Sequence, residues 1–84
     1  MDYNDYLKLA TDYSIKQWGF DIVRFAGEEE GWRYFSCTRD GRPHYSSLPM
    51  AIRVNKHGEI ETLDGDLRLR VNFMAYQLES KSQY

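Results

Sequence analysis

The chain has 84 residues, a formal net charge of -2, and a composition that is 42% hydrophobic and 15% aromatic. This length predicts one domain over residues 1–84 with one core, and the hydrophobic content excludes a disordered chain. The N-terminus, with Asp2 and Asp5, lacks the basic and apolar parts of a signal peptide, and no run reaches the roughly 18 apolar residues of a membrane span. The lone cysteine, Cys37, cannot form an internal disulfide, which fits a reducing compartment. We therefore expect a soluble cytoplasmic protein with no membrane association.

An amphipathic pattern at the N-terminus predicts a helix over roughly Tyr3 to Trp18. Asp2 or Asn4 can accept hydrogen bonds from the free amides at its start, and Gly19 can adopt the left-handed conformation that ends helices. At about 100° per residue, one face carries the mostly apolar residues Tyr3, Tyr6, Leu7, Ala10, Tyr13, Ser14 and Trp18.

Beyond Gly19 the hydrophobic period changes to two, which predicts strands. The segments Phe20 to Phe25 and Trp32 to Cys37 alternate in this way, and the polar stretch Gly27 to Gly31 between them predicts a hairpin loop. The next turn is predicted at Arg39 to Pro43, because Asp-Gly and proline favour turns and disfavour a ladder.

A polar edge strand is then expected at His44 to Leu48, followed by the clearest hairpin of the chain. In that hairpin, the strands Met50 to Val54 and Glu59 to Leu63 flank Asn55 to Gly58, whose Asn and Gly tolerate positive φ.

The segment from Leu67 to Glu79 fits two structures. As a strand, its apolar residues alternate as far as Phe73; as a helix, an apolar face continues to Leu78 and the composition favours helix. We favour the helix, because the alternation breaks at Phe73-Met74. The helix would carry a second apolar face on its far side, Leu69, Phe73 and Tyr76, which indicates a sandwiched helix or one docked on a partner.

These elements predict an α+β fold. The N-terminal helix packs on one face of an antiparallel β-meander of three to five strands, and a C-terminal helix, or alternatively a final strand, completes the chain. The expected core consists of Tyr6, Leu7, Ala10, Trp18, Ile22, Phe35, Ile52, Val54 and Ile60.

Residues that could carry chemistry are few and poorly spaced. His44, His57 and Cys37 lie in three different predicted elements and lack the paired spacing of metal ligands, so we expect no metal site, and Cys37 is interpreted as a core residue. The acidic run Glu28 to Glu30 is interpreted as a solvated loop, with cation binding or partner docking as the alternatives. No phosphate-loop, nucleophile-elbow or zinc-protease motif occurs, so we expect no enzyme activity and no cofactor.

Charge is unevenly distributed along the chain. Residues 1–31 carry seven acids and three bases (-4), residues 32–58 one acid and five bases (+4), and residues 59–84 five acids and three bases (-2). The basic middle third interleaves with aromatics and could bind single-stranded nucleic acid, provided that Arg33, Arg39, Arg42 and Arg53 project on one face. A sequence pI near 5.6 disfavours binding through phosphate neutralisation, so this function is the alternative.

Three segments together resemble a known class of small domain. They are the helix that ends in Trp18-Gly19-Phe20, the strand Gly31 to Phe35, and the strand-turn-strand Pro49 to Ile60. Over roughly residues 5–63 they are similar to bacterial immunity proteins of polymorphic toxin systems, and to PepSY and cystatin-like helix-on-sheet modules. The resemblance implies a function in binding, such as occlusion of a cognate toxin. It assigns no functional residues, because contact surfaces differ from one immunity pair to the next.

The leading functional hypothesis is a small non-catalytic protein-binding module, such as an immunity-type or phage-type inhibitor of another protein. Tyr and Arg are enriched at binding hot spots and large exposed apolar residues mark interfaces, so the candidate partner-binding residues are Arg33, Tyr45, Leu69, Phe73 and Tyr76. The partner is another protein or a second copy of the chain.

Overall fold

The computed structural model describes residues 2–39 and 49–82, of which 79–82 are described as backbone only. It contains helix α1 (Tyr3–Trp18), strands β1 (Ile22–Glu29), β2 (Trp32–Thr38), β3 (Met50–Asn55) and β4 (Ile60–Leu63), and helix α2 (Gly65–Ser82). The predicted α+β fold is confirmed: an N-terminal helix, an antiparallel sheet in the order β1-β2-β3-β4, and a C-terminal helix. The turn predicted from Arg39 and the edge strand predicted at His44 to Leu48 fall mainly on residues 40–48, outside the described residues.

Helix α1 has the predicted bounds because both of its ends carry strong local signals. The Asp2 carboxylate accepts from the Asp5 amide at 3.0 Å, and the Asp5 carboxylate accepts from the Asp2 amide at 3.1 Å, which forms a capping box. At the other end, Gly19 has a φ of 72° and donates its amide to the Ile15 carbonyl at 2.9 Å.

The hairpin of β1 and β2 differs from its prediction. Its loop was expected from Gly27 to Gly31, but β1 continues to Glu29, which pairs with Trp32. The loop therefore contains only Glu30 and Gly31, with φ values of 53° and 82°, and two-residue hairpin loops favour positive φ at both positions. The register shifts between Phe25 and Gly27, so β1 has a bulge there. Beyond the bulge, Glu28 and Glu29 are paired with β2 at the exposed end of the strand.

The hairpin of β3 and β4 forms where it was predicted. The Asn55 side-chain oxygen accepts from the amides of His57 at 2.9 Å and Glu59 at 3.0 Å, while the Gly58 amide donates to the Asn55 carbonyl at 3.0 Å. One asparagine thus organises the whole turn, as its local hydrogen-bonding capacity leads us to expect.

The sheet is covered on both faces, so the described residues form three layers and two buried clusters. On the face under α1, Tyr6 and Ala10 of the helix pack against Phe35, Cys37, Ile52 and Val54 of the strands. On the opposite face, Val71 and Ala75 of α2 pack against Ala26, Ala51 and Leu63. The expectation of one core was therefore wrong, because α2 covers the face that α1 leaves open.

Eight of the nine predicted core residues belong to the α1 side. Five are buried (Tyr6, Ala10, Phe35, Ile52 and Val54), and three are partly buried against them (Leu7, Trp18 and Ile60). Ile22 is only half-buried. The second cluster was missed because three of its five members are alanines, which give a weak hydrophobic signal.

Candidate binding surface

Helix α2 is held in one rotational position on the sheet by a short chain of polar contacts. The Asn72 side chain donates to the Pro49 carbonyl at 3.0 Å and accepts from the Ser36 hydroxyl at 2.6 Å. Because Ser36 is buried in the middle of β2, rotation of the helix would leave its hydroxyl unpaired. These bonds fix Val71 and Ala75 against the sheet, and they fix the opposite side of the helix outward.

The outward side of α2 carries three large apolar residues, which we call the outer face. Leu69 is 61% exposed, Phe73 59% and Tyr76 68%. Their spacings of four and three residues place them in one stripe, about 10 Å long at 1.5 Å per residue. Together they expose about 350 Å² of surface, an area within the range of the largest apolar patch on a typical monomer. Patches of this size often have a function.

The outer face is flanked by polar residues on one side. Asp66, Arg70 and Gln77 are exposed there, and a shallow depression of about 170 Å³ is lined by Asp66, Leu67 and Arg70.

The helical prediction for this segment, including its second apolar face, is confirmed. Partner binding by that face stays a prediction.

Two arginines of the basic middle third lie on opposite faces of the sheet. Arg33 pairs across strands with Val54 on the α1 side, with its guanidinium carbon 4.1 Å from the Tyr6 ring centroid and a nitrogen 3.4 Å from the Glu28 carboxylate. Arg53 pairs with Tyr34 on the α2 side. The nucleic-acid alternative requires these arginines to lie on one face of the sheet. That prediction is wrong for Arg33 and Arg53, because adjacent strand positions alternate between faces.

Arg53 belongs to an aromatic and charged cluster that the sequence did not single out as a unit. Its guanidinium carbon lies 4.1 Å from the Trp32 ring centroid, and it bonds to the Glu61 carboxylate and, at 3.5 Å, to the Tyr34 hydroxyl. Part of this cluster can be read from the sequence, because period-two alternation puts Trp32 and Tyr34 on one face of the strand. The position of Arg53 beside them depends on the register between β2 and β3, which the sequence pattern does not show.

The other predicted site residues do not converge. Arg33 is already engaged with Tyr6 and Glu28, its partner-binding role stays a prediction, and Tyr45 lies outside the described residues. Cys37 is fully buried under α1, which confirms its interpretation as a core residue, and His57 is exposed at the β3–β4 turn. Within residues 2–39 and 49–78, no group of three or more His, Cys, Asp and Glu side chains could hold a metal ion.

No protein-family model, curated protein or solved structure matches this chain. Neither described helix is both long and apolar enough to cross a membrane. Because no similar protein suggests a function, the exposed residues of the described structure carry the functional proposal.

Proposed function

We propose that the chain is a small non-catalytic protein-binding module that contacts its partner through the outer face of α2, as an immunity-type or phage-type inhibitor would. The observation that carries the proposal is the orientation of this helix. Leu69, Phe73 and Tyr76 point outward, while the wholly buried positions hold the smaller Val71 and Ala75. Leu67 and Met74 of the same helix pack against the sheet, so the three exposed residues form a second apolar face that the sheet does not use. A second contact beyond the sheet accounts for such a face.

The spacing of the outer face suits insertion into an apolar surface of another protein. Anchors at positions i, i+4 and i+7 are those that a helix presents to a hydrophobic groove, and Phe73 is the central anchor here. Aromatic anchors at the centre of an interface supply most of its binding energy. A module of this kind inhibits by occlusion and needs no reactive group.

The test is affinity capture from a lysate of the source organism, with the chain as bait and with and without nuclease. The salt concentration is about 150 mM, at which exposed charge contacts beyond roughly 8 Å are screened. Phe73→Lys should weaken capture of the bound protein at least about tenfold, because a central anchor is lost and a charge takes its place. The matched control is Ile15→Lys, which changes an exposed apolar residue of α1 that is 49% exposed.

Capture that survives Phe73→Lys unchanged would contradict the proposed surface. Nuclease-sensitive capture would instead favour the nucleic-acid alternative. Arg33 and Tyr45 are secondary contact candidates, and their alanine variants in the same assay report whether the interface extends beyond α2.

A further inference from the structure

We infer that the open edge of β1 binds an extended, basic segment of another protein, which pairs with it as an additional strand of the sheet. In the order β1-β2-β3-β4, β1 forms one edge of the described sheet and is the longest of these strands. Alternate residues of an edge strand direct their N–H and C=O groups away from the sheet, which makes the edge a template for strand addition. This surface is separate from the outer face of α2, and the inference does not depend on that face.

Helix α2 extends past this edge. It begins at Gly65, shortly after β4, and meets β1 at Met74, whose methyl carbon lies 3.1 Å from the place that a Cβ on Gly27 would take. From Gly65 to Met74 the helix advances about 14 Å at 1.5 Å per residue, which equals three strand spacings of roughly 4.8 Å. It then continues to Ser82, about 12 Å beyond Met74. The end of α2 therefore overhangs the position of an added strand.

Leu78 lies on the sheet-facing side of this overhang. It follows Met74 and Ala75 by one helical turn, so it belongs to the side of α2 that packs on the sheet. Ala75 is buried, yet Leu78 is 43% exposed, because the described sheet ends at β1. Leu78 is about 6 Å further along the helix than Met74, close to the spacing of one more strand. An apolar side chain of an added strand would cover it.

On the other face of the sheet, Tyr3 lies at the same edge. Its ring is 5.6 Å from the Phe25 ring of β1, edge to face, and Tyr3 is 47% exposed. Helix α1 crosses the sheet from there to β4, where the Tyr13 and Thr62 hydroxyls are hydrogen-bonded at 3.0 Å. An added segment would thus meet Tyr3 on one face and Leu78 on the other. This arrangement selects an extended segment, because a strand directs its side chains to both faces in alternation.

Carboxylates at the end of β1 select a basic segment. Glu28 and Glu29 are exposed and alternate between the two faces of the sheet, and Glu30 follows in the loop. Lysine or arginine side chains of an added strand, placed beside these glutamates, form favourable cross-strand pairs, whereas an acidic strand is repelled.

A second copy of β1 does not supply such a segment. Two β1 strands related by a two-fold axis pair antiparallel, and about the midpoint of the strand the two acidic positions lie opposite Ile22 and Val23, which are not basic. The register that places Arg24 opposite Glu29 is centred beside Gly27, where α2 crosses β1. In that register the overhanging ends of the two α2 helices would occupy the same space. The edge therefore favours a segment that carries no helix layer of its own.

Peptide selection tests the chemistry of the occupant. The bait is the full chain with Phe73→Lys, so that the outer face does not account for binding, and the library displays random peptides with the length of β1, eight residues. Selected peptides should be rich in β-branched and aromatic residues and carry Lys or Arg at one end. Selection on the same bait with Glu29→Lys added should lose that basic end. Enrichment of acidic or proline-rich peptides, or no enrichment, would overturn the inference.

The location of binding is measured by NMR titration of the wild-type chain with the selected peptide. The amide signals of Ile22 to Phe25 should shift more than those of β4 at the opposite edge. Leu78→Ala should weaken binding about tenfold, because it truncates a side chain that the peptide covers. The matched control is Ile15→Ala, at a position of α1 that is 49% exposed, and it should change binding less than about twofold. Far-UV circular dichroism checks that each variant is folded.

Backbone pairing distinguishes strand addition from binding by side chains alone. N-methylation of alternate peptide amides blocks one edge of a strand, and two such peptides block the two edges in turn. One of them should lose binding and the other keep it, because only one edge pairs with β1. Equal binding of both peptides, shifts confined to α2 or β4, or binding unaffected by Leu78→Ala would overturn the inference. The proposed function is tested separately, since it depends on Phe73 and the selection bait lacks that side chain.

Discussion

Cys37 shows how one residue's chemistry is set by its position in the sheet. Its thiol is fully buried in β2 under α1 and hydrogen-bonded to Ser14, whose hydroxyl also donates to the Phe20 carbonyl at 2.8 Å. Burial raises the pKa of this thiol from 9.0 to about 11, and the Ser14 hydrogen bond offsets part of that rise. At neutral pH the group is therefore a neutral, poorly nucleophilic thiol.

This pKa predicts how stability depends on pH in the alkaline range. Because the folded-state pKa is above the unfolded one, the contribution of Cys37 is fully present below pH 9 and is lost as the pH rises through 11. The free energy of unfolding of the wild type minus that of Cys37→Ala should be about 1.4 kcal/mol lower at pH 10 than at pH 7. Urea unfolding of both proteins at both pH values measures this, and the variant cancels the titration of other groups. A pH-independent difference would show that the thiol titrates normally.

At the scale of elements, α2 is the segment whose sequence fits two structures. Its alternating apolar residues fit a strand as far as Phe73, yet the segment folds as a helix. The Asn72 bonds to Pro49 and Ser36 position that helix, and such long-range contacts have no signature in the local pattern. By contrast, both ends of α1 lie where they were predicted, because the capping residues Asp2 and Gly19 act within one turn of the helix ends.

Asn72→Ala should lower the free energy of unfolding by about 1–3 kcal/mol, because it leaves the Ser36 hydroxyl and the Pro49 carbonyl without this partner. Gln77→Ala, an exposed position on the same helix, should change it by less than about 0.5 kcal/mol. Urea denaturation at neutral pH gives both values. Equal effects of the two substitutions would mean that the polar contacts do not hold α2 on the sheet.

At the scale of the whole molecule, the four described strands form one sheet that both buried clusters share. Each strand contributes alternate side chains to both, as β3 does with Ile52 and Val54 on the α1 side and Ala51 on the α2 side. A sheet of this kind couples the two helices, since loss of either layer exposes backbone and side chains of the same strands.

We therefore expect one cooperative unfolding transition that involves both clusters. Val54→Ala on the α1 side and Val71→Ala on the α2 side should each lower stability by about 2 kcal/mol, because each removes wholly buried methyl groups. In both variants, tryptophan fluorescence and far-UV circular dichroism should report the same midpoint in urea. Separate midpoints in Val71→Ala would show that α2 unfolds as an independent unit.

The amino-acid sequence by itself determined the features that rest on local chemistry. These are the limits of α1, the Asn55 turn and the order of the strands β1 to β4, because caps, turn residues and periodicity act over a few neighbouring positions. Only the tertiary structure decided which sheet face each helix covers, that Arg33 and Arg53 lie apart, and that Leu69, Phe73 and Tyr76 face outward. Those outcomes depend on strand register and on contacts between residues distant in sequence, such as Ser36 with Asn72, which no local pattern records.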